Sequence, residues 1–215
     1  MSTLHLLNLV VHVAAGTVGL VIGFTLLARR KGTRRHRAWG RRFGAATLVV
    51  GLSAAVGSVF FRFLPLFAVL NVVVIYQLVS GWRVIYTREA GPAPIDALWT
   101  ATGVLASVAL IPVLMARPHD VPPTILYSTF AALGLLLAYD AARWAFPRRW
   151  HRAVWPYEHV YKLVCALFAM LSALVGNVVR FAQPWSQLLP SVLGMIVIVG
   201  FFIRMPRRTS RGRAG

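Results

Sequence analysis

The chain has one cysteine among 215 residues, Cys165, so an intramolecular disulfide and a cysteine-based zinc cluster are both excluded. Acidic residues are scarce as well: five Asp and Glu stand against 23 Lys and Arg, giving a formal net charge of +18. Lysine is represented only by Lys31 and Lys162. The last apolar run has none, so a retinal Schiff base there is excluded. Charged residues make up 13% of the chain, whereas a soluble domain carries about 25%. With 58% hydrophobic residues and a mean hydropathy of +0.69, a water-soluble domain is excluded and an integral membrane protein is implied. No basic region precedes the first apolar run, which outlasts a signal-peptide core, so it reads as a retained span. No GxSxG elbow, HExxH pair or P-loop occurs, and the sequence gives no positive sign of an enzyme.

Seven runs are long enough to cross roughly 30 Å of hydrocarbon at about 1.5 Å per residue. They are Leu4 to Ala28, Phe43 to Phe61, Phe63 to Tyr86, Ile95 to Ala116, Thr124 to Phe146, His159 to Ala182 and Ser186 to Met205. The fold class expected is all-α: a polytopic bundle of seven transmembrane helices in one domain over residues 1–206. The remainder, 207–215, reads as a basic tail. Arg62 and Pro65 must make a tight turn between the second and third helices.

The joining segments alternate in charge. Arg29 to Arg42 holds eight basic residues, and Arg83 to Asp96, Arg143 to Arg152 and the tail from Arg204 are also basic, whereas the segments around Arg62, Arg117 and Arg180 hold one each. The positive-inside rule then puts the N-terminus outside and the C-terminus in the cytoplasm of a cell whose plasma membrane the protein crosses. Trp99, Trp144, Trp155, Trp185, Tyr127 and Tyr157 fall near span ends, where interfacial anchors belong. The positive charge is absorbed by this topology and needs no nucleic acid; the partners it implies are the bilayer and its anionic headgroups. A homo-oligomer or a larger membrane complex stays open.

A repeat runs through the chain. One shift of 115 residues takes Val18-Gly19-Leu20 onto Leu133-Gly134-Leu135 and His36 onto His151; a shift of 119 takes Ser53-Ala54-Ala55-Val56-Gly57-Ser58 onto Ser172-Ala173-Leu174-Val175-Gly176-Asn177. Small residues recur in any packed membrane helix, but the loop match and the pair Arg62-Phe63 and Arg180-Phe181 do not follow from packing. The expectation is a 3+1+3 parallel repeat, about 4–86 and 124–205, joined by a linker helix at 95–116. Sugar transporters of the SWEET type share this count, as an architectural analogy.

The segment HVYKLVCALFAMLSALVGNVVRFAQPWSQLLPSVLG from His159, with HRAWGRRFG from His36, resembles a bacterial family of multi-pass membrane proteins known as domain of unknown function 2306. The residues that carry the likeness are His159, Ser172-Ala173, Asn177, Leu189-Pro190, His36-Arg37 and Gly40-Arg41. The resemblance covers about half the chain. It implies a multi-pass fold and no particular activity.

Ionisable and strongly polar residues inside spans are candidates for function. On the outer side His12 and Asn71 lie about 12 Å deep by helical rise, Asn177 is shallower, and Arg62 and Arg180 stand at the rim. Together they would suit an anionic or hydrogen-bonding solute; separately they would be interhelical hydrogen bonds and snorkelling arginines. On the inner side Asp140, His159 and His36 could form a proton relay or hold a metal. The plain alternative pairs Asp140 with Arg143 one turn on and sets Glu158 in the first turn of its helix. Haem b needs two facing histidines, and only His36 with His159 would supply them. The leading expectation is therefore passage or binding of a small solute or proton. A haem- or metal-binding redox protein and an accessory subunit are the alternatives.

Overall fold

A computed structural model describes residues 2–116, 123–179, 181 and 185–205. Among these, seven α-helices occur in the order α1 (Thr3–Ala28), α2 (Arg34–Phe60), α3 (Pro65–Thr87), α4 (Pro94–Met115), α5 (Pro123–Ala142), α6 (Arg148–Val178) and α7 (Trp185–Arg204). Two short 3-10 turns, Arg88–Ala90 and Arg143–Ala145, follow α3 and α5. All seven helices are long and apolar enough to cross a membrane. The shortest have 20 residues, which reach about 30 Å.

The helix ends follow from local chemistry. Ser2 accepts the N–H of His5 at 3.3 Å and opens α1. At its other end the Lys31 ammonium donates to the carbonyls of Leu26, Leu27 and Arg29 at 2.7, 2.8 and 2.8 Å, answering carbonyls that the helix leaves bare. Burial against this helix end lowers the Lys31 pKa. Thr33 then accepts the N–H of His36 at 3.0 Å and starts α2. Leu64 is extended, as the residue before a proline tends to be. Pro65 occupies the first position of α3, where its missing N–H costs nothing. The turn expected around Arg62 therefore lies between Phe60 and Pro65.

Two helices begin well before the apolar runs that announce them. α2 starts at Arg34 rather than Phe43, and α6 at Arg148 rather than His159. Most of the two basic segments is thus helix, not loop. Arginine is a good helix former, and an N-cap or N-terminal proline sets the start whether or not the next turn is apolar.

α3 and α6 are the centre. They pack together along much of their length; α2, α4 and α5 also touch α3, and α7 lies on α6. Val69 and Leu78 of α3, and Lys162 and Ala166 of α6, are fully buried. Gly81 makes the close approach possible: a Cβ there would sit 2.9 Å from both Lys162 Cβ and Leu163 Cδ2. One apolar core joins Ile22, Phe43, Leu78, Leu167, Phe168 and Ile198 from α1, α2, α3, α6 and α7. A second joins Val73 and Tyr76 of α3 to Leu133, Leu136 and Leu137 of α5. The outward faces of α1 and α4 carry exposed Leu, Val and Ile, as lipid contact requires.

Candidate functional site: a buried charge network

α5, the turn after it and α6 bring four charged side chains into the interior beside the second core. Asp140 and Arg143 come from the end of α5 and the turn after it, one turn apart. Glu158 and Lys162 come from α6 at the i,i+4 spacing that shares a face. All four are buried, with relative exposures of 4, 3, 4 and 0% respectively. They pair across the two elements rather than along them.

Lys162 is the deepest of the four. Its Nζ donates to Asp140 Oδ1 at 2.5 Å and to Ser80 Oγ at 2.6 Å. Ser80 passes its own hydrogen to Asp140 Oδ2 at 2.7 Å, and the Tyr76 hydroxyl donates to the same oxygen at 2.7 Å. The carboxylate thus accepts from three donors, two of them on one face of α3 at i,i+4. The Tyr76 hydroxyl also lies 3.1 Å from Thr100 Oγ1 of α4, and its ring stacks on Trp99. Trp99 in turn donates to the Tyr76 carbonyl at 3.3 Å. Four helices therefore meet at Asp140.

One turn towards the basic end, Arg143 Nη2 lies 3.0 Å from Glu158 Oε2, with side-chain exposures of 4 and 3%. The Tyr139 hydroxyl donates to Glu158 Oε1 at 2.5 Å. Nearer the surface Arg83 and Asp96 form a two-point pair, its Nη2–Oδ2 contact being 3.1 Å, and Asp96 also accepts the N–H of Ala93 at 2.7 Å. Arg152 and Glu89 make an exposed pair at 3.2 Å. Each of the four acidic residues among the described residues is thus held by a cation; the fifth, Asp120, lies outside them.

The energetics separate the two buried pairs from the exposed one. An exposed pair such as Arg152–Glu89 contributes ~0–1 kcal/mol. Taking two charges out of water costs several kcal/mol per ion, and well-packed apolar residues in their place are often ~1–4 kcal/mol better. A Lys–Asp pair in the interior of a membrane bundle is therefore a poor solution if stability is its sole role.

The residues expected to share an outer cavity are placed on different surfaces. His12 Nδ1 lies 3.0 Å from Ser53 Oγ, tying α1 to α2. Asn71 donates to the Gly51 carbonyl at 3.1 Å, tying α3 to α2. Gly51 and Ser53 are two positions apart, about 200° around the helix, so these bonds lie on opposite sides of α2. Asn177 and Arg62 are exposed. Arg180 lies outside the described residues.

Of the inner candidates, Asp140 is held apart from the two histidines by other partners. Asp140 is held by Lys162, not by Arg143 one turn on. His159 Nδ1 lies 3.0 Å from the Gly81 carbonyl, and His36 is near enough to His159 to interact electrostatically. His159 meets the Gly81 carbonyl and Asp140 the Ser80 hydroxyl, consecutive residues of α3. Among the described residues no three His, Cys, Asp or Glu side chains converge as metal ligands.

Sequence reasoning missed Lys162, Tyr76 and Ser80, and with them the centre of the network. Two signals were there: Lys162 lies inside an apolar run, at i,i+4 from Glu158 just before it, and Tyr76 and Ser80 repeat that spacing on α3. The arginine-rich segments drew attention to the surface instead. Comparisons with protein-family models, with curated proteins and with solved structures find no match to this chain.

Proposed function

We propose that this integral membrane protein binds and passes a proton through the Asp140–Lys162 centre. The observation that carries the reading is the 2.5 Å contact between a fully buried lysine and a buried aspartate, with the Tyr76 and Ser80 hydroxyls on the same carboxylate. These groups carry exchangeable protons within hydrogen-bond reach of one another. Towards the basic end, Glu158 with Arg143 and Tyr139, then Asp96 with Arg83, offer further carboxylates in the same direction. Charge balances pair by pair, so a proton can enter as another leaves without leaving net charge in the bundle.

The basic ends of α2 and α6 support an inner, cytoplasmic face at this end of the network and an outside N-terminus. Arg62 and Arg180 are the proposed cations of the outer rim, and Asn177 is a proposed polar contributor there. His12 and Asn71 act in this reading as ties to α2. The 3+1+3 repeat belongs to the proposal as ancestry: α2 and α6 open at Arg34 and Arg148, close to the shift that takes His36 onto His151. Packing has diverged since, because α1 lies along α2 while α5 lies against α3. Kinship with the family of domain of unknown function 2306 adds a shared multi-pass architecture.

The test is proton flux in reconstituted vesicles with a trapped pH-sensitive dye and the membrane potential clamped. Wild-type protein should dissipate an imposed pH gradient faster than protein-free vesicles, and Asp140→Asn should remove the excess. Equal rates with and without the wild-type protein would sink the proposal.

A further inference from the structure

Outside the charge network, the inner ends of α6 and α7 enclose an open groove of about 600 Å³ lined by Trp150, Val154, Tyr157, Phe202, Ile203 and Met205. Its α6 side is a stripe at i, i+4 and i+7. This stripe lies off the buried face formed by His151, Glu158 and Lys162. Tyr157 stands edge-on to Phe202 at 5.0 Å between centroids and reaches the Met205 carbonyl at 3.4 Å, fixing the floor. Trp150 is 43% exposed. The groove is apolar and aromatic at the level where the first turn of α6 and the last turn of α7 carry Arg148, Arg149 and Arg204.

Those three arginines are exposed. The described acidic residues are committed elsewhere: Glu89 to Arg152, Asp96 to Arg83, Asp140 to Lys162 and Glu158 to Arg143. An apolar slot between two helix ends that carry three exposed arginines without acidic partners among the described residues matches a ligand with an acyl chain and a negative headgroup. We infer that this groove is a specific site for one anionic phospholipid, its chain along Trp150, Tyr157 and Phe202 and its phosphate between Arg149 and Arg204. The aromatic lining supplies an apolar body with polar tips at the interface, as Trp and Tyr do at membrane surfaces. A zwitterionic lipid would fill the slot but bring no net charge to the arginines.

The full-length protein, purified in mild detergent, would be titrated in native mass spectrometry with phosphatidylglycerol or with phosphatidylcholine of the same acyl chains. The expected result is a retained phosphatidylglycerol adduct, with phosphatidylcholine lost under the same conditions. That adduct should disappear both in Trp150→Ala/Phe202→Ala and in Arg149→Gln/Arg204→Gln. If the aromatic variant fails to fold, the arginine variant decides, because its side chains lie on exposed helix ends. Equal retention of both lipids, or an adduct that survives the arginine variant, overturns the inference. So does displacement of the lipid by inorganic phosphate, which would mark a bare anion site. A dimer by light scattering that the aromatic variant dissolves, with no lipid retained, would give the groove to a second copy instead.

Discussion

Breaking the Asp140–Lys162 pair from one side should cost far more stability than removing both partners together. The two side chains are 3 and 0% exposed, so removing either leaves the other as an uncompensated buried charge, at a cost of ~3–5 kcal/mol. Lys162→Met should fall at the lower end, because the carboxylate keeps the Tyr76 and Ser80 donors. Asp140→Leu should fall at the upper end, because it leaves the ammonium with Ser80 alone and removes two hydroxyl bonds, each worth about 1 kcal/mol. The double variant Asp140→Leu/Lys162→Met has no charge to strand. It should lie within about 2 kcal/mol of wild type, the residual being the two hydroxyl bonds. Equilibrium unfolding of the four proteins in one mixed-micelle system closes the cycle, and the coupling energy should exceed ~3 kcal/mol. A double variant whose loss equals the sum of the single losses to within ~0.5 kcal/mol would refute the reasoning.

Further outcomes follow from particular positions. At the second layer Arg143→Met should cost ~3–5 kcal/mol by stranding Glu158, whereas Tyr139→Phe removes one bond to a charged acceptor and should cost about 1.5–3 kcal/mol; unfolding midpoints give the order. Gly44→Ala would put a Cβ 1.9 Å from Trp82 Cζ2, so unfolding should show a loss of ~1–3 kcal/mol. Gly40→Ala meets nothing within 4 Å and should gain up to about 1 kcal/mol in the same assay. The His12–Ser53 bond joins α1 to α2, so His12→Ala should cost no more than ~1.7 kcal/mol through that bond and leave proton flux in vesicles unchanged.

The helix count was legible because seven long apolar runs and alternating loop charge leave little choice for a chain in lipid. The helix starts were not, because hydropathy reports where a helix is apolar, while Thr33 and Pro147 decide where it begins. His12 and Asn71 were visible as polar residues in spans, but depth along a helix says nothing about direction around it. Only the positions of Gly51 and Ser53 on α2 separate the two. Asp140 was visible for the same reason and its partner was not: Lys162 lies on another helix, 22 positions along the chain. Arg143, one turn away, was the nearer cation in sequence and belongs to Glu158.

Proton flux through vesicles carrying Asp140→Leu/Lys162→Met tests the central claim most directly, since this variant keeps the packing and removes the charges. The account predicts a protein that elutes and unfolds much like wild type and dissipates a pH gradient no faster than protein-free vesicles, while wild type exceeds both. Wild-type flux retained by the folded double variant would contradict it, and would leave the buried pair a tie between helices.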